Sequence, residues 1–262
     1  MDEKFNNLLE YINNVSNQNK ISYKKNTGKQ ILSFVISIIA IILLVSSGYF
    51  LKTVFDNKKD LDNSYKVKNE LINSSIKNNL VDFNSLKEKN KDTIGWLKIK
   101  DTVIDYPVVQ SFDNEYYLKR DFYGRDNVYG WIFADSRNAF PNLLQNTIIY
   151  GHNTSSGIMF GDLIKLLDET WYQDEEHKYI SFSTEKENYK FEIFSVYRVT
   201  STNDYLDVTF GSNFGEYINL VKNRSVYNFG VEVSDEKILT LSTCYDVQSS
   251  SVKLVVHAKL VD

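Results

Sequence analysis

One stretch constrains this chain more than any other: residues 31–51 hold no charged side chain over 21 consecutive positions. As an α-helix rising 1.5 Å per residue, this stretch matches the ~30 Å hydrocarbon core of a bilayer. A cleaved signal peptide has a shorter apolar core near the N-terminus, whereas about thirty mostly polar residues come first here. We therefore predict an uncleaved transmembrane anchor at residues 31–51.

Lysines on the two sides of the anchor predict its orientation. Four of them precede it and three follow it closely, namely Lys20, Lys24, Lys25 and Lys29 before it and Lys52, Lys58 and Lys59 after it. The excess on the N-terminal side favours a cytoplasmic N-terminus. We expect a single-pass protein of the cell membrane, with residues 1–30 as a cytoplasmic tail and everything after the anchor extracellular.

Composition limits what the remaining part of about 210 residues can be. It is long enough for one domain with a real core. A net charge of −4 without a basic run gives no electrostatic basis for a nucleic-acid partner. Acidic residues lack metal-ligand spacing, and neither a phosphate-binding glycine loop nor a dinucleotide motif occurs, so we predict no metal and no cofactor.

The hydrophobic pattern changes along this part of the chain. Residues 52–91 are charged, with apolar positions at helical spacing, and predict a helical extension. The domain at 92–262 is predicted to be mainly β with added helices at 160–167 and 214–223. Eight short apolar runs suggest a closed barrel; they cover residues 95–100, 103–109, 131–133, 147–150, 179–182, 189–199, 237–243 and 252–260.

Cys244, the only cysteine, follows one of these apolar runs. It therefore has no partner for an internal disulfide. A lone cysteine in such a place is more often a small packing residue than a nucleophile. A nucleophilic thiol needs a base or a cation beside it, so the three histidines decide between these two interpretations.

Each histidine has a different setting. His177 lies in a charged run and is expected on the surface. His257 is on the last strand; if that strand pairs antiparallel with 237–243, Cys244 lies near residues 252–253 and His257 is about 13 Å further along. His152 follows a strand directly and is flanked by glycine and asparagine. It is the candidate base for Cys244.

Several strings together resemble the class B sortases, from about residue 92 to 261 and in the order of that family. They are LTLSTC at 239–244, YGHN at 150–153, GWLKI at 95–99, IDYPVVQ at 104–110, DNEYYL at 113–118, and GWIF at 130–133 with Asp135. Each string is weak alone, but the set is specific. The resemblance implies an eight-stranded sortase-type barrel behind the membrane anchor and the helical extension.

The same resemblance implies an activity. Sortases are membrane-anchored cysteine transpeptidases of Gram-positive bacteria, which cleave a sorting motif near the C-terminus of a secreted protein and transfer the protein to an amine, usually of peptidoglycan. Cys244 would form the thioacyl enzyme, and His152 would act as general acid and base. The expected partners are secreted proteins with a sorting signal and a peptidoglycan precursor or stem-peptide amine.

Lys253 departs from the family pattern, because the family has an arginine at this position. The cation is kept, but the planar fork that holds two acceptors is lost. Three explanations stay open: Lys253 replaces the arginine, another arginine such as Arg137 or Arg224 reaches the site, or the enzyme is slow.

Two other functions are compatible with the sequence. One is a thiol endopeptidase that mainly hydrolyses its intermediate, and the other is a catalytically impaired, surface-anchored peptide-binding domain. Neither the sorting motif nor the acceptor amine nor the oligomeric state follows from the sequence, although loop 200–213 is expected to carry specificity.

Overall fold

The computed structural model describes residues 2–78, 80–154, 156–200, 202–246 and 249–262, and the chain forms two compact units that divide after Lys58. Helix α1 begins at Asp2 and ends at Ser75, so its N-terminal part forms the first unit. In the segment Thr27–Ser75 an 18-residue window reaches a mean hydropathy of 2.7, and none of that window is buried. This helix is long and apolar enough to cross a membrane, as predicted for residues 31–51.

The second unit is built around a closed barrel of eight strands, as predicted. Two neighbouring pairs are parallel, β4 (Asp105–Val109) with β5 (Phe133–Ala134) and β6 (Asn146–Tyr150) with β9 (Ile238–Asp246), and the other pairs are antiparallel. The strands are β3 (Thr93–Ile99), β4 (Asp105–Val109), β5 (Phe133–Ala134), β6 (Asn146–Tyr150), β7 (Tyr179–Ser183), β8 (Asn188–Thr200), β9 (Ile238–Asp246) and β10 (Ser249–Leu260). Their order around the barrel is β10-β8-β7-β3-β4-β5-β6-β9.

The helical extension packs on the outside of this barrel. From residue 59 onward α1 buries Val67 and Leu71 against the core. A two-stranded hairpin follows, with β1 (Ile76–Lys77) paired to β2 (Leu80–Val81). Helix α2 (Phe83–Lys89) begins after Asp82, whose carboxylate accepts the backbone N–H of Ser85 at 3.0 Å and caps the helix.

Strand β10 shows why the barrel forms, because its side chains alternate between two apolar environments. Leu254, Val256 and Ala258 lie in the main core. Val255 points the other way, into a second cluster with residues of helix α4 (Phe214–Arg224), such as Ile218. Burial of a large apolar side chain contributes about 1.5–3 kcal/mol, so the second cluster also stabilises this strand, on the face opposite the main core.

Three local predictions differ from the structure. The predicted strand at 131–133 is reduced to Phe133–Ala134, although Trp131 and Ile132 are fully buried next to it. The segment Gly161–Leu167 is a 3₁₀-helix, and short helix α3 (Glu169–Tyr172) follows it. Finally, β9 continues through Cys244 to Asp246 instead of ending at residue 243, because β10 begins early enough to pair with it.

Candidate active site

The ends of two parallel strands determine where the predicted catalytic pair lies. Strands β6 and β9 are paired in register, with Tyr150 opposite Ser242. Parallel neighbours leave the sheet at the same edge. His152 comes two residues after Tyr150, and Cys244 comes two residues after Ser242, so the fold brings the two positions to one edge of the barrel.

The third candidate lies on the opposite side of Cys244. Strand β10 runs antiparallel to β9, and Lys253 is the direct cross-strand partner of Cys244. The Cα atoms of such partners lie about 4.5–5.5 Å apart. The antiparallel pairing places Cys244 opposite Lys253, in agreement with its expected position near residues 252–253.

A cleft of about 360 Å³ opens at this edge of the barrel. His152 and Lys253 both line it, together with Thr243, which precedes the cysteine. The other lining residues come from neighbouring strands and from two loops: Asn114, Leu118, Phe133, Tyr150, Gly151, Asn203, Leu206 and Ser242. The cleft thus combines an apolar wall with amide side chains, an imidazole and an ammonium group.

The His152 ring is held by a carbonyl group. Its Nε2 atom lies 2.8 Å from the carbonyl oxygen of Leu118. A carbonyl only accepts hydrogen bonds, so Nε2 carries the proton in this arrangement and Nδ1 is the basic nitrogen of the neutral ring. The contact therefore fixes both the tautomer and the position of the ring at the cleft.

Gly151 permits the turn that carries His152. A Cβ atom at this position would lie 2.8 Å from the ring of Phe160, closer than real Cβ contacts. Phe160 is fully buried, and its backbone N–H donates to the carbonyl oxygen of His152 at 3.0 Å. Glycine thus lets the buried ring support the backbone directly before the histidine.

Lys253 remains the cation of the cleft. Its ammonium group donates to Oδ1 of Asn203 at 3.4 Å, a long contact on the limit of a hydrogen bond. Arg224 forms a two-bond ion pair with Asp204. Arg137 is paired with Asp135 and also donates to the Leu206 carbonyl oxygen. Neither guanidinium is among the groups that line the cleft, whereas Lys253 is.

An ionised carboxylate is buried beneath the cleft. Asp135 is fully buried, and burial alone would raise its pKa. The hydrogen bonds from Arg137 and Tyr150 outweigh that effect and hold the pKa of Asp135 below its usual value. The pKa of Tyr150 is raised, first by burial and then by the Asp135 charge. In the sequence, Asp135 stands out only as part of a family motif.

The other two histidines have structural roles. His257 is fully buried, and burial lowers its pKa to about 3. The expectation that His177 lies on the surface is wrong. Its ring stacks on Trp171 at 4.0 Å and bonds to the Trp171 carbonyl oxygen and to Asp101. Stacking and two hydrogen bonds explain why it is buried within a charged run.

Loop residues are the part of the cleft that sequence reasoning did not find. Asn114 and Leu118 come from the segment between β4 and β5, and Asn203 and Leu206 come from the loop after β8. The only signals were the DNEYYL string and the assignment of specificity to loop 200–213. Among the described residues, no group of three or more His, Cys, Asp or Glu side chains is placed to hold a metal ion.

Comparisons with known proteins agree with this geometry. A family model described as the sortase domain matches residues 97–261. Sortase B of Listeria monocytogenes is 42% identical over 195 residues, which cover 72% of this chain and 77% of that protein. Sortase B of Staphylococcus aureus is 33% identical over 235 residues, covering 87% of this chain and 96% of the relative.

Solved structures show the same fold. Sortase B of Bacillus anthracis in complex with AAEK1 superposes with a TM-score of 0.70 at 34% identity, covering 78% of this chain and 99% of that one. A Staphylococcus aureus sortase B–substrate complex gives a TM-score of 0.68 at 32% identity, with 79% and 99% covered.

Proposed function

This chain belongs to the class B sortases, a family of cysteine transpeptidases, and we propose that it cleaves a sorting motif near the C-terminus of secreted proteins and transfers them to a cell-wall amine. The observation that carries this proposal is the strand register. Position 244 lies between His152 at the parallel end of β6 and Lys253 on antiparallel β10. A thiol nucleophile needs such a base and cation as neighbours.

The proposed reaction has two steps. In the first, the Cys244 thiolate attacks the scissile carbonyl carbon, the C–N bond breaks, and the protonated His152 ring gives its proton to the departing amine. In the second, an acceptor amine attacks the thioester carbonyl and gives a proton to His152, and the Cys244 sulfur leaves. The sum exchanges one amide for another without a net gain or loss of protons.

Lys253 is assigned to the oxyanion of both tetrahedral intermediates. It is the cross-strand partner of Cys244 and lines the cleft. A fixed cation beside developing negative charge lowers the barrier to acyl transfer, and loss of one such donor costs about 3–4 kcal/mol. Lys253 supplies this charge as an ammonium group, whereas the arginine of the family would supply it as a planar guanidinium group.

The apolar helix supports a cellular arrangement that is part of this proposal. We propose residues 1–30 as a cytoplasmic tail, 31–51 as the membrane anchor, 52–91 as the extension and 92–262 as the extracellular catalytic domain. Secreted proteins with a C-terminal sorting signal would then reach the cleft outside the membrane. Relatives have been solved in a sortase B–substrate complex and in a sortase B complex with triglycine, which supports a peptide substrate and an amine acceptor. We propose a peptidoglycan precursor or stem peptide as the source of that amine.

The test is intact mass spectrometry of the full-length chain in detergent micelles, mixed with a peptide library randomised over a five-residue core. The proposal predicts a peptide-dependent mass increase on the parent chain and none on Cys244→Ala. The increment identifies the cleaved motif.

Adding diaminopimelate-containing stem peptides or triglycine then distinguishes the functions. An amide product establishes transpeptidation, whereas release of the free acid alone would identify a thiol endopeptidase. If the folded parent binds library peptides without any adduct, the protein is a peptide-binding domain and the proposal is wrong.

A further inference from the structure

The buried carboxylate of Asp135 connects three walls of the cleft. Its Oδ2 atom accepts the hydroxyl of Tyr150 at 2.8 Å and the side-chain amide of Asn114 at 3.1 Å. Both partners line the cleft. Arg137 completes the set, donating from Nη2 to Oδ2 and from Nε to Oδ1, each at 2.8 Å.

Asn114 is fixed at both ends of its amide. While Nδ2 donates to Asp135, Oδ1 accepts the backbone N–H of Ser136 at 2.7 Å. This arrangement excludes the flipped amide, because Nδ2 cannot accept from a backbone N–H. Within the described part of the chain, these two bonds use one N–H and one lone pair of the Asn114 amide.

Arg137 also links the Asp135 carboxylate to the loop after β8. Its Nη2 atom also donates to the carbonyl oxygen of Leu206 at 2.7 Å. Leu206 lines the cleft together with Asn203, which accepts from Lys253. The loop after β8 is therefore tied through one guanidinium to the carboxylate that holds Asn114 and Tyr150.

From these contacts we propose that Asp135 is the positioning residue of the peptide cleft, which sets the placement of Asn114, Tyr150 and the Leu206 loop for substrate binding. This inference rests on the proposed function. In this proposal Asp135 acts without contacting the reacting atoms. It acts through residues that line the cleft, and one of them, Tyr150, lies two positions before His152.

Position 135 requires a carboxylate, because the groups bonded to it in the described structure all donate hydrogen bonds. Hydrogen bonds reach the two carboxylate oxygens from Tyr150, Asn114 and three N–H groups of Arg137, one of them on the backbone. An amide at position 135 has only one acceptor oxygen and would point an NH₂ group at one of these donors. Asp135→Asn keeps the size of the side chain while breaking this arrangement.

Asp121 provides a matched control. It too is a buried carboxylate paired with an arginine, Arg125, and it accepts backbone N–H groups of its own turn. It is not among the residues that line the cleft. Asp121→Asn therefore removes a similar buried ion pair elsewhere in the same unit.

The experiment compares Asp135→Asn, Asp121→Asn and Tyr150→Phe in the full-length chain with three measurements. Hydrogen exchange reports the order of segments 111–118 and 202–208. Intact mass against time gives the rate of thioester formation with the library peptide that acylates the parent. Alkylation by iodoacetamide across the pH range measures the reactivity of the Cys244 thiol with a small reagent that does not depend on peptide binding in the cleft.

We expect Asp135→Asn to speed exchange in both segments, to raise the apparent KM and to lower kcat/KM for thioester formation by roughly ten-fold or more. Alkylation should keep its pH profile. Tyr150→Phe should lose only part of kcat/KM, and Asp121→Asn should leave it within about two-fold of the parent.

Each contrary result is decisive. Unchanged exchange in both segments, unchanged kcat/KM in Asp135→Asn, or an equal loss in Asp121→Asn would overturn the inference. If exchange rises as expected but the parent forms no thioester, Asp135 does hold the two loop segments in place, and it is the proposed function that fails.

Discussion

Lys253 and Cys244 are direct partners across antiparallel strands β10 and β9. Side chains of such partners project from the same face of the sheet, with Cβ atoms about 4.5–5.5 Å apart. The relationship is set by the backbone and does not depend on which residue occupies position 253. Any cation there is therefore close to an intermediate formed at position 244, and its chemistry can be changed without altering the fold.

Substitution of Lys253 should separate the effect of charge from that of shape. Lys253→Met keeps the length of the side chain but removes the ammonium, and we expect thioester formation to slow by about 100-fold, corresponding to about 3 kcal/mol of oxyanion stabilisation. Lys253→Arg should equal or exceed the parent, because the planar fork can hold two acceptors. Reactions stopped at intervals and analysed by intact mass spectrometry give the rate of thioester formation for both variants.

The thermal unfolding of both Lys253 variants should match that of the parent, since the contact that the lysine makes with a described residue, Asn203, is long. A parent-like rate in Lys253→Met would show that another group stabilises the oxyanion.

His152→Gln tests the histidine while preserving its hydrogen bond. The glutamine amide can donate to the Leu118 carbonyl oxygen as Nε2 does now, but it cannot carry a proton between amines. We expect turnover to fall by about 10²–10⁴-fold, which is the usual contribution of general acid–base catalysis. Peptide affinity, measured by fluorescence anisotropy on a Cys244→Ala background, should change little.

A result in which His152→Gln loses affinity and keeps turnover would assign His152 to binding and not to proton transfer.

Much of the fold followed from the sequence because its signals are local. Strand periodicity along 252–260 puts Leu254 and Val256 on one face, and both lie in the main core. The expected antiparallel return of this strand also predicted the pairing of Cys244 with residues 252–253. Both conclusions need only strand periodicity and one turn.

The buried polar contacts could not be predicted from the sequence, because they join residues that are far apart in the chain. His177 looked exposed in a run of charges, yet its partner Asp101 lies 76 positions earlier. Arg137 holds the carbonyl oxygen of Leu206, 69 positions later. No periodicity marks such pairs, and a family motif points to Asp135 without stating which side chains it holds.

The two buried histidines predict opposite dependences of stability on pH. His257 donates from Nδ1 to Thr240, whose hydroxyl proton goes to Asn146, and accepts from Tyr197. It is neutral in the folded chain, with a pKa lowered to about 3 by burial. Because the unfolded histidine binds a proton below about pH 6.5, the free energy of unfolding should fall by about 2 kcal/mol between pH 7 and pH 5 from this residue.

His177 acts in the other direction. Burial alone would lower its pKa, but the hydrogen bonds that its ring makes with Asp101 and the Trp171 carbonyl oxygen raise it. Its stabilisation is complete below about pH 6.5 and is lost as the pH rises through the folded value. Urea unfolding followed by tryptophan fluorescence should show a smaller loss towards pH 5 in His257→Gln and a larger one in His177→Gln. Equal slopes in all three chains would contradict both assignments.

The extension supports the loop that follows His152. The Tyr65 hydroxyl, on α1, donates to the carbonyl oxygen of Ser156 at 3.0 Å. Nearby, Lys68 donates to the Val103 carbonyl oxygen and lies over the ring of Tyr106 at 4.6 Å. The Tyr106 hydroxyl in turn accepts the backbone N–H of Met159 at 3.1 Å. Two contacts of α1 thus reach the loop between His152 and Phe160, one directly and one through Tyr106.

Tyr65→Phe should therefore loosen this loop without unfolding the barrel. Loss of one hydrogen bond, worth about 1 kcal/mol, predicts exchange of the amides at 156–160 that is roughly five-fold faster. Tyr123→Phe is the matched control, because the Tyr123 hydroxyl also bonds to α1, at Glu70, but does so away from the His152 loop. It should leave that exchange unchanged. If both variants behave alike, the extension stabilises the unit as a whole and gives His152 no separate support.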